Sequence, residues 1–492
     1  MKTFFTIALT SIVAFGTFAV EIPDRPEKLV YPPLKYAPPN PADYRVALKS
    51  GPVAYVVPDH ELPLVNIHIM IHTGQYVTPK GKEDLEGFLG YMLAHGGTKT
   101  KTAEELEERL AFLAAQLNIS IGETSGDVSL NLLAKDLDEG MKILREVLTE
   151  PRFQDDKLAL IKDQTMQEMR QRNDDSQAIE GREVGFLAYG EQFWANHYST
   201  AASITGITKA DLQEFHHKWI DPKNFVVAVN GDFDREKMVA KLETLFAKWP
   251  FQGQTPPAIP TDTQIAKAGV YLVDKDVNQG RVTMMLPGIM RTDPDYFAGV
   301  IMNDILGGGG FTSRIMNRVR SDEGLAYSAG SDFSGGVYYP YVFSASFQSK
   351  SRTVSYAASI VIAEIKKLLE ESVTTAELHD AKQSFIDRFP GVFSSKGKIA
   401  GIFAGDEFTG RYAKDPDYWK KYRRRIEKID KADIDRVAKR FLHPDQFVVL
   451  VVGQKEEILK GLPEHPVTLE SIAGHPITEL PLRDPLTMRK VK

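Results

Sequence analysis

The chain has 492 residues, of which 42% are hydrophobic and 26% charged, and its formal net charge at neutral pH is −6. This length exceeds what one hydrophobic core normally serves, so two or more domains are expected in an ordinary globular protein. The acidic balance gives no basic footprint for nucleic acid, and the absence of cysteine excludes disulfide bonds.

The first 19 residues have the pattern of a secretory signal peptide. Lys2 precedes a run of about 16 mostly apolar residues, and Thr17-Phe18-Ala19 supplies small residues around a cleavage site after Ala19. The run is shorter than the roughly 20 residues that span a bilayer. The pattern predicts a periplasmic or secreted protein without a membrane span after cleavage; retention of the segment as an uncleaved anchor is the alternative.

Proline-rich segments flank the body of the chain. Residues 20–45 form an N-terminal arm that contains Pro23, Pro26, Pro32, Pro33, Pro38, Pro39 and Pro41. Residues 463–492 form a C-terminal tail that contains Pro463, Pro466, Pro476, Pro481 and Pro485. Such segments are extended and build no core of their own. We expect each to lie over the body of the protein or to reach a partner.

A helix is predicted over residues 83–98, beginning at Asp84 and ending at Gly96-Gly97. It puts Gly87, Gly90 and Tyr91 at positions i, i+3 and i+4, on one face. Zinc peptidases of the H-x-x-E-H kind and their inverted relatives use this spacing for two histidines and a glutamate. Glycine has no donor atom and a neutral phenol is a poor one, so these three positions cannot hold a catalytic zinc ion.

Together with its flanks, this helix resembles the pitrilysin and mitochondrial processing peptidase family of zinc metallopeptidases, where H-F-L-E-H-M precedes Gly-Thr. Here residues 87–92 read Gly-Phe-Leu-Gly-Tyr-Met, so both histidines and the glutamate are replaced. The family's third ligand is a downstream glutamate, and Glu168 stands at the matching position, 77 residues after Tyr91. Glu168 is either a remnant of that site or a solvated helix carboxylate, and one carboxylate makes no zinc site. The resemblance implies that this chain holds no metal of its own.

A helix–loop–strand unit occurs twice. It runs from Lys209 to Gly231 and again from Lys431 to Gly453, a constant offset of 222 residues. Both copies contain a proline before a Phe-Val-Val strand segment. Two such units in one register indicate an internal duplication.

The duplication predicts an α+β protein of two homologous lobes, each a mainly antiparallel sheet backed by helices. The lobes are residues 46–250 and 266–462, joined by a proline-rich linker at residues 251–265. Each half begins with a β-like run, at residues 65–72 and 281–285. The family resemblance implies that such lobes face each other and that four of them enclose a peptide chamber.

Residues 303–328 form a second diagnostic stretch. Four consecutive glycines end one helix, and Thr312 or Ser313 is expected to cap the next. No Gly-Lys-Ser/Thr follows, so a phosphate-binding loop is rejected. The stretch resembles the family's second-lobe signature, and its glycines predict either a tight turn or a close approach of peptide backbone. The residues predicted to bind substrate are Gly308, Gly309, Gly310 and Phe311.

Arg320 and Tyr327 follow this turn, with Gly324 between them as a predicted helix stop. Without the resemblance, Arg320 would be interpreted as a charged surface residue and Tyr327 as an aromatic residue of a strand. The resemblance implies that they complete an active site opposite the zinc helix. Arg320 would grip the substrate, and Tyr327 would donate its hydroxyl to the carbonyl oxygen as negative charge develops.

These patterns lead to three hypotheses. In the first, the chain is the non-catalytic, substrate-binding subunit of a periplasmic zinc metallopeptidase heterodimer that cleaves peptides or unfolded polypeptides. It would be inactive alone and would supply Arg320 and Tyr327 to a homologous partner that carries the zinc. In the second, it is a structural or peptide-binding paralogue without a peptidase role. A hydrolase with other catalytic residues is disfavoured because G-x-S-x-G and a cysteine nucleophile are absent.

Overall fold

The computed structural model describes residues 24, 25, 28, 29 and 35–491. The predicted signal peptide, its cleavage site after Ala19 and most of the proline-rich arm before residue 35 lie outside these residues. None of the described helices combines the length and the apolar character needed to cross a lipid bilayer. From Pro38 onward, the described chain belongs to a single unit built on two sheets.

The first sheet is formed by strands of the first half. In chain order these are β1 (Arg45–Ala47), β2 (Val53–Pro58), β3 (Leu64–Ile71), β4 (Gln116–Ile121), β5 (Gly126–Leu133) and β6 (Phe225–Gly231). Across the sheet the order is β1-β2-β6-β3-β5-β4. Neighbours are antiparallel except β2 and β6. The isoleucines of β3 alternate with half-buried polar residues, as the sequence pattern predicts for a half-buried strand.

The second sheet repeats this topology. Its strands are β7 (Gly269–Asp274), β8 (Gln279–Leu286), β9 (Ala326–Asp332), β10 (Phe343–Lys350), β11 (Val448–Gly453) and β12 (Ile477–Glu479). The order is β12-β7-β11-β8-β10-β9, so β7 to β11 are arranged as β2 to β6 are in the first sheet. The matching order confirms the predicted fold class of two homologous α+β lobes.

Helices follow the strands in both halves. Those of the first half are α1 (Leu85–His95), α2 (Ala103–Phe112), α3 (Leu137–Thr149), α4 (Asp155–Arg170), α5 (Ser176–Tyr189), α6 (Ala201–Gly206), α7 (Lys209–Trp219) and α8 (Arg235–Phe246). Those of the second half are α9 (Tyr296–Asn303), α10 (Arg314–Met316), α11 (Val354–Glu370), α12 (Thr375–Val392), α13 (Lys396–Phe408), α14 (Arg411–Lys414), α15 (Tyr418–Glu427), α16 (Lys431–Phe441), α17 (Lys455–Lys460) and α18 (Leu469–Ala473).

The repeated unit recurs down to its helix caps. In the first copy, Thr208 and Asp211 form a reciprocal capping box at the start of α7. In the second copy, Asp430 and Asp433 form the same arrangement at the start of α16. Each box satisfies backbone donors that a helix start otherwise leaves unpaired. A short 3-10 turn then leads into β6 or β11.

The two halves exchange one helix each. One face of each sheet packs against helices of its own half. The other face of the second sheet is covered by α5 from the first half, which contacts β8 and β11. The other face of the first sheet is covered by α13 from the second half, which contacts β2, β3 and β6. The lobes predicted from the sequence are residues 46–250 and 266–462. Each of them therefore provides one helix that covers the sheet of the other lobe.

Polar contacts fix both exchanged helices. Glu407 on α13 accepts hydrogen bonds from Arg45 Nε and from the Tyr55 hydroxyl, each at 2.9 Å. Glu180 on α5 accepts one from Thr283 Oγ1 at 2.7 Å. These carboxylates are largely removed from solvent, and a paired carboxylate in such a place holds its helix in one position.

The linker and the tail both lie against the body. Residues 250–268 contain no helix or strand, but Asn224 Nδ2 donates to the Gln254 carbonyl at 2.8 Å. The tail differs from the extended segment predicted for it, because it contains α18 and β12, and β12 pairs with β7. Beyond β12, the buried Arg483 bonds Glu183 at 3.1 Å and Glu191 at 2.8 Å. The tail thus ends against the first half.

Each sheet also contains a strand that precedes the β-like run found in the sequence. These strands, β2 and β7, are short and mostly buried. A strand buried on both faces shows no polar alternation, so periodicity does not reveal it.

Candidate functional site

The altered motif positions lie on α1, which begins after Asp84 and ends at Gly96 as predicted. Asp84 adopts a positive φ of 79°, and its Oδ1 lies 2.5 Å from where a β-carbon on Gly87 would stand. The Asp84 carboxyl therefore occupies the space of a side chain at the first motif position. Burial raises the pKa of Asp84 to about 6; the nearby Arg172 cation opposes this rise and Glu168 adds to it.

The second motif position is closed by backbone. A β-carbon on Gly90 would lie 3.0 Å from the Ile121 nitrogen and 3.1 Å from the Ser120 α-carbon, both on β4. The backbones of α1 and β4 thus approach each other closely at Gly90, where β4 crosses α1. Tyr91 packs its ring against His95, with centroids 4.8 Å apart.

Glu168 lies on α4, which packs against α1, and its side chain is exposed. Within the described residues, no three histidine, aspartate or glutamate side chains are grouped so that they could hold a metal ion. The donor atoms on this face therefore do not fit a catalytic zinc ion, which needs three protein ligands and an open position.

The glycine-rich turn, residues 304–312, links α9 to α10 through a wide π-type turn followed by a 3-10 turn. Neither Thr312 nor Ser313 caps α10 with its side chain, because each hydroxyl donates instead to a carbonyl three residues earlier. Thr312 Oγ1 donates to the Gly309 carbonyl at 2.9 Å, and Ser313 Oγ donates to the Gly310 carbonyl at 2.7 Å. These bonds close the turn itself.

The glycines of this turn have different surroundings. A β-carbon on Gly308 would lie 2.5 Å from Asn303 Nδ2, and one on Gly309 would lie 2.6 Å from the Asp304 carbonyl oxygen. A side chain at either position would therefore collide with atoms of the turn or of the end of α9, so both positions favour glycine. Gly310 has a positive φ of 62° and open space around its α-carbon. Of the three, it is the one beside which a peptide backbone has room.

The structure brings Phe311, Arg320 and Tyr327 together, and we call these three residues the Arg320 cluster. The guanidinium carbon lies 4.6 Å from the ring centroid of Phe311 and 4.6 Å from that of Tyr327. Phe311 is 65% exposed and Tyr327 is 84% exposed, so the stack faces solvent. Across the described chain, Arg320 forms no ion pair or hydrogen bond through its side chain, and its donors stay free for a ligand.

Local structure holds this cluster in place. Arg320 lies in a π-helical segment, Asn317–Asp322, that ends at Gly324 with a φ of 64°, the helix stop expected from the sequence. Leu325 N then donates to the Val319 carbonyl at 2.9 Å, which closes the helix end. Tyr327 follows on β9, the edge strand of the second sheet.

A group of aromatic residues between the lobes was not singled out in the sequence. Trp194 lies between Tyr76 and Tyr339, with ring centroids 6.0 Å and 6.3 Å away, and Tyr189 packs edge-on to Tyr339 at 5.4 Å. The run Val337-Tyr338-Tyr339-Pro340-Tyr341 was the available signal. Tyr339 is buried and the other three are half-buried, so these aromatics join the two lobes through an apolar contact.

Two family profiles match the chain. Residues 55–192 match the insulinase family, peptidase family M16, and residues 206–385 match the peptidase M16 inactive domain. Together these matches span well over half of the chain. The first lies within the first half of the duplication, and the second begins near the end of that half and extends through the linker into the second half.

Curated relatives are similar over most of their length. The non-peptidase homolog YmxG of Helicobacter pylori is 27% identical over 343 residues, which are 68% of this chain and 76% of that protein. An uncharacterized zinc protease of Rickettsia bellii is 23% identical over 342 residues, 68% of this chain and 80% of that protein.

Solved structures share the fold. A peptidase M16 inactive domain from Pseudomonas fluorescens aligns with a TM-score of 0.73 and 23% identity. The alignment covers 83% of this chain and 97% of the Pseudomonas chain. The periplasmic protease PqqL from Escherichia coli aligns with a TM-score of 0.69 and 14% identity. The alignment covers 84% of this chain and 45% of the PqqL chain.

Two duplicated lobes, a helix whose motif positions lack metal ligands and an arginine–tyrosine pair together define a metallopeptidase-like protein. The chain belongs to peptidase family M16, with the insulinase-type match at residues 55–192 and the inactive-domain match at residues 206–385.

Proposed function

We propose that this chain is the non-catalytic, substrate-binding subunit of a zinc metallopeptidase heterodimer in the periplasm. Its partner is a homologous subunit that carries the zinc ion, and this chain supplies Arg320 and Tyr327 across the interface. The substrates are peptides or unfolded polypeptides.

One observation carries the proposal. Arg320 and Tyr327 stand in an exposed cluster with unused donors, whereas the α1 face that would serve a metal is filled by Asp84 and by the β4 backbone. Exposed apolar and aromatic surface with free polar groups is typical of interaction sites. A surface that is equipped to bind an amide, in a chain without its own metal ligands, fits a shared active site.

The chemistry assigned to the pair is electrostatic. The Tyr327 hydroxyl donates a hydrogen bond to the scissile carbonyl oxygen, and this bond strengthens as negative charge develops there. Removing one such donor from an enzyme typically lowers kcat by about 10²–10³. The planar Arg320 guanidinium, fixed between two rings, offers paired donors to a substrate carbonyl or carboxylate.

Two of the names agree with a subunit that does not cleave alone. One relative is described as a non-peptidase homolog, and one structural neighbour is an inactive M16 domain. The location rests on the signal-like sequence at residues 1–19. Recovery of the mature chain from the periplasm, beginning at Val20, is the expected result when the gene is expressed with its own N-terminus.

The test is reconstitution with a zinc-bearing member of the family from the same genome. Cleavage of an unstructured peptide should require both proteins. Tyr327→Phe should lower kcat/KM about 10²–10³-fold, and Arg320→Ala should raise KM as well. Tyr271→Phe and Arg352→Ala, two substitutions elsewhere on the second lobe, serve as matched controls. Unchanged cleavage with Tyr327→Phe, or zinc-dependent hydrolysis by the isolated chain, would overturn the proposal.

The alternative function is a structural or peptide-binding paralogue. The description of one relative as a non-peptidase homolog is the observation that favours it. Peptide binding without cleavage beside every zinc-bearing homologue of the same genome would decide for this alternative.

A further inference from the structure

A cavity of about 380 Å³ opens in the second lobe between the start of α9 and the segment that contains α14 and α15. Its size is within the range of about 300–1,000 Å³ that is usual for small-ligand sites. Phe297 and Tyr418 form aromatic walls, and the guanidinium groups of Arg291, Arg411 and Arg425 line it. Lys414 adds an exposed ammonium group at its edge.

The carboxylates around this cavity already have partners. Asp415 bonds Lys421 at 2.8 Å and also binds Arg425, and Asp293 bonds Arg440 at 3.0 Å. A third carboxylate behind the wall, Asp406, bonds both Arg411 at 3.0 Å and the Trp419 indole at 2.6 Å. The acidic groups nearby are thus bonded to Arg411 and Arg425 of the cavity, to Lys421 and Arg440, and to the Trp419 indole, and none is within bonding distance of Arg291.

Arg291 is the exception among the arginines. In the part of the chain that the structure describes, its guanidinium makes no hydrogen bond or ion pair, although it is half-buried. Burial lowers the pKa of Arg291 and the neighbouring Arg411 cation acts in the same direction, whereas Asp406 opposes both from behind the wall. Because Asp406 bonds Arg411, Arg291 has no bonded anion of its own, and an anion that bound to it would offset its desolvation.

Stacking fixes the orientation of the other two guanidinium groups. The Arg411 guanidinium carbon lies 4.4 Å from the Tyr418 ring centroid, and that of Arg425 lies 5.3 Å from the same centroid. Arg411 also donates to Asp406 and Arg425 to Asp415, so these two guanidinium groups hold the cavity wall in place. Arg291 is therefore the lining arginine whose paired donors are unused and match the two oxygens of a carboxylate.

We propose that this cavity binds the carboxylate of a peptide, with Arg291 as its principal partner and with Phe297 and Tyr418 against the adjoining apolar side chain. The carboxylate belongs either to the C-terminus of the peptide or to an acidic residue. The anion site follows from the cavity itself, whereas the choice of a peptide as its ligand rests on the proposed function.

The position of the cavity agrees with a peptide that continues toward the proposed site. The eight-residue helix α9 leads from the cavity to the glycine-rich turn, a length of about 12 Å. An extended peptide crosses this distance in about four residues. Arg291 also lies close enough to Tyr338 to oppose the burial-driven rise in the pKa of that phenol, so the cavity adjoins the aromatic segment at 337–341.

The experiment measures binding to the isolated mature chain, without any partner. The probes are fluorescein-labelled Gly-Ala-Ala-Ala-Phe with a free C-terminus, the same peptide as its C-terminal amide, and an amidated version that ends in Phe-Glu. The free acid, the Glu peptide or both should bind at least tenfold more tightly than the plain amide, and which one does identifies the source of the carboxylate.

Arg291→Gln should remove this preference, and Arg291→Lys, which keeps the charge but not the paired donors, should restore only part of it. Arg352→Gln, at an exposed arginine outside the cavity, is the matched control, and circular dichroism verifies that each variant is folded. Equal affinity for acid and amide, an unchanged preference in Arg291→Gln, or binding of inorganic phosphate alone would each overturn the inference. Because cleavage with the zinc-bearing partner is measured separately, loss of one activity does not decide the other.

Discussion

At the residue scale, the start of α1 has two carboxyl groups with unusual surroundings, the buried Glu86 and the half-buried Asp84. Glu86 is only 6% exposed and accepts a hydrogen bond from Thr78 Oγ1 at 2.6 Å. Burial raises the pKa of Glu86 to about 7, as it raises that of Asp84 to about 6. Each side chain is thus easier to bury when protonated, and the helix that lacks metal ligands begins with two carboxyls that resist ionisation.

This burial predicts a pH dependence of stability. The folded-state pKa of Glu86 lies above its ordinary value of 4.5, so the folded protein binds more protons than the unfolded chain between these values. Its contribution is complete below about pH 4.5 and is lost as the pH rises through about 7. Glu86→Gln stays neutral, so at pH 8 it should raise the free energy of unfolding by about 2–3 kcal/mol relative to the native chain.

Urea denaturation of both proteins at pH 5 and pH 8 measures this effect. The variant should lose less stability between the two pH values, although Asp84 keeps part of the dependence. Glu107→Gln, at an exposed carboxylate on α2, is the matched control and should behave as the native chain does. Identical losses for the native chain and Glu86→Gln would contradict the prediction.

At the scale of one element, α1 is positioned by its contact with β4. Alanine favours helices over glycine by about 1 kcal/mol, yet a β-carbon at Gly90 would press on the backbone of a strand that is paired with β5. Overpacking against an element that cannot move typically costs about 1–3 kcal/mol. Gly90→Ala should therefore lower the free energy of unfolding by about 1 kcal/mol.

Gly181 on α5 provides the matched comparison. It is also inside a helix, but no atom outside that helix lies within 4 Å of the place where a β-carbon on Gly181 would stand. Gly181→Ala should raise the free energy of unfolding by about 0.5–1 kcal/mol. Opposite signs for the two substitutions in chemical denaturation support the packing argument, and a gain for Gly90→Ala would refute it.

Elements that depend on local signals could be predicted from the sequence. The end of α1 at a glycine pair, the helix stop at Gly324 and the duplicated unit all rest on short-range chemistry. The Thr312 and Ser313 caps were wrong because their hydroxyls bond the carbonyls of the preceding glycines. The Asp84 carboxyl beside Gly87 and the cavity around Arg291 depend on tertiary packing, which has no local pattern.

At the scale of the whole molecule, the exchange of α5 and α13 makes each half depend on the other. The face of α5 that covers the second sheet includes Ile179 and Leu187, which pack against Met285, Val448 and Leu450. No sequence pattern indicates this exchange, because α5 buries charged Arg182 and Glu183 together with apolar residues and has no simple apolar stripe. The covering helices therefore cross any linear boundary drawn between the two sheets.

The exchange predicts that the halves stay together when the linker is cut. Each fully buried Ile, Leu, Val or Met contributes about 1.5–3 kcal/mol to stability. Each of the two exchanged helices buries several apolar residues, and each has a carboxylate that accepts a hydrogen bond from the other half of the chain. The last residues of the tail add Arg483, which bonds Glu183 on α5. These contacts are independent of the linker, so its covalent continuity is not what joins the lobes.

A specific protease site inserted between Pro257 and Ala258 tests this dependence. After cleavage, the two fragments should elute together at the volume of the intact chain in gel filtration without denaturant, and they should unfold in one transition on heating. The uncleaved protein with the same insertion is the control for disturbance of the linker. Fragments that elute separately and remain folded would show that each sheet can be covered by its own half, and the exchanged helices would then be dispensable for the fold.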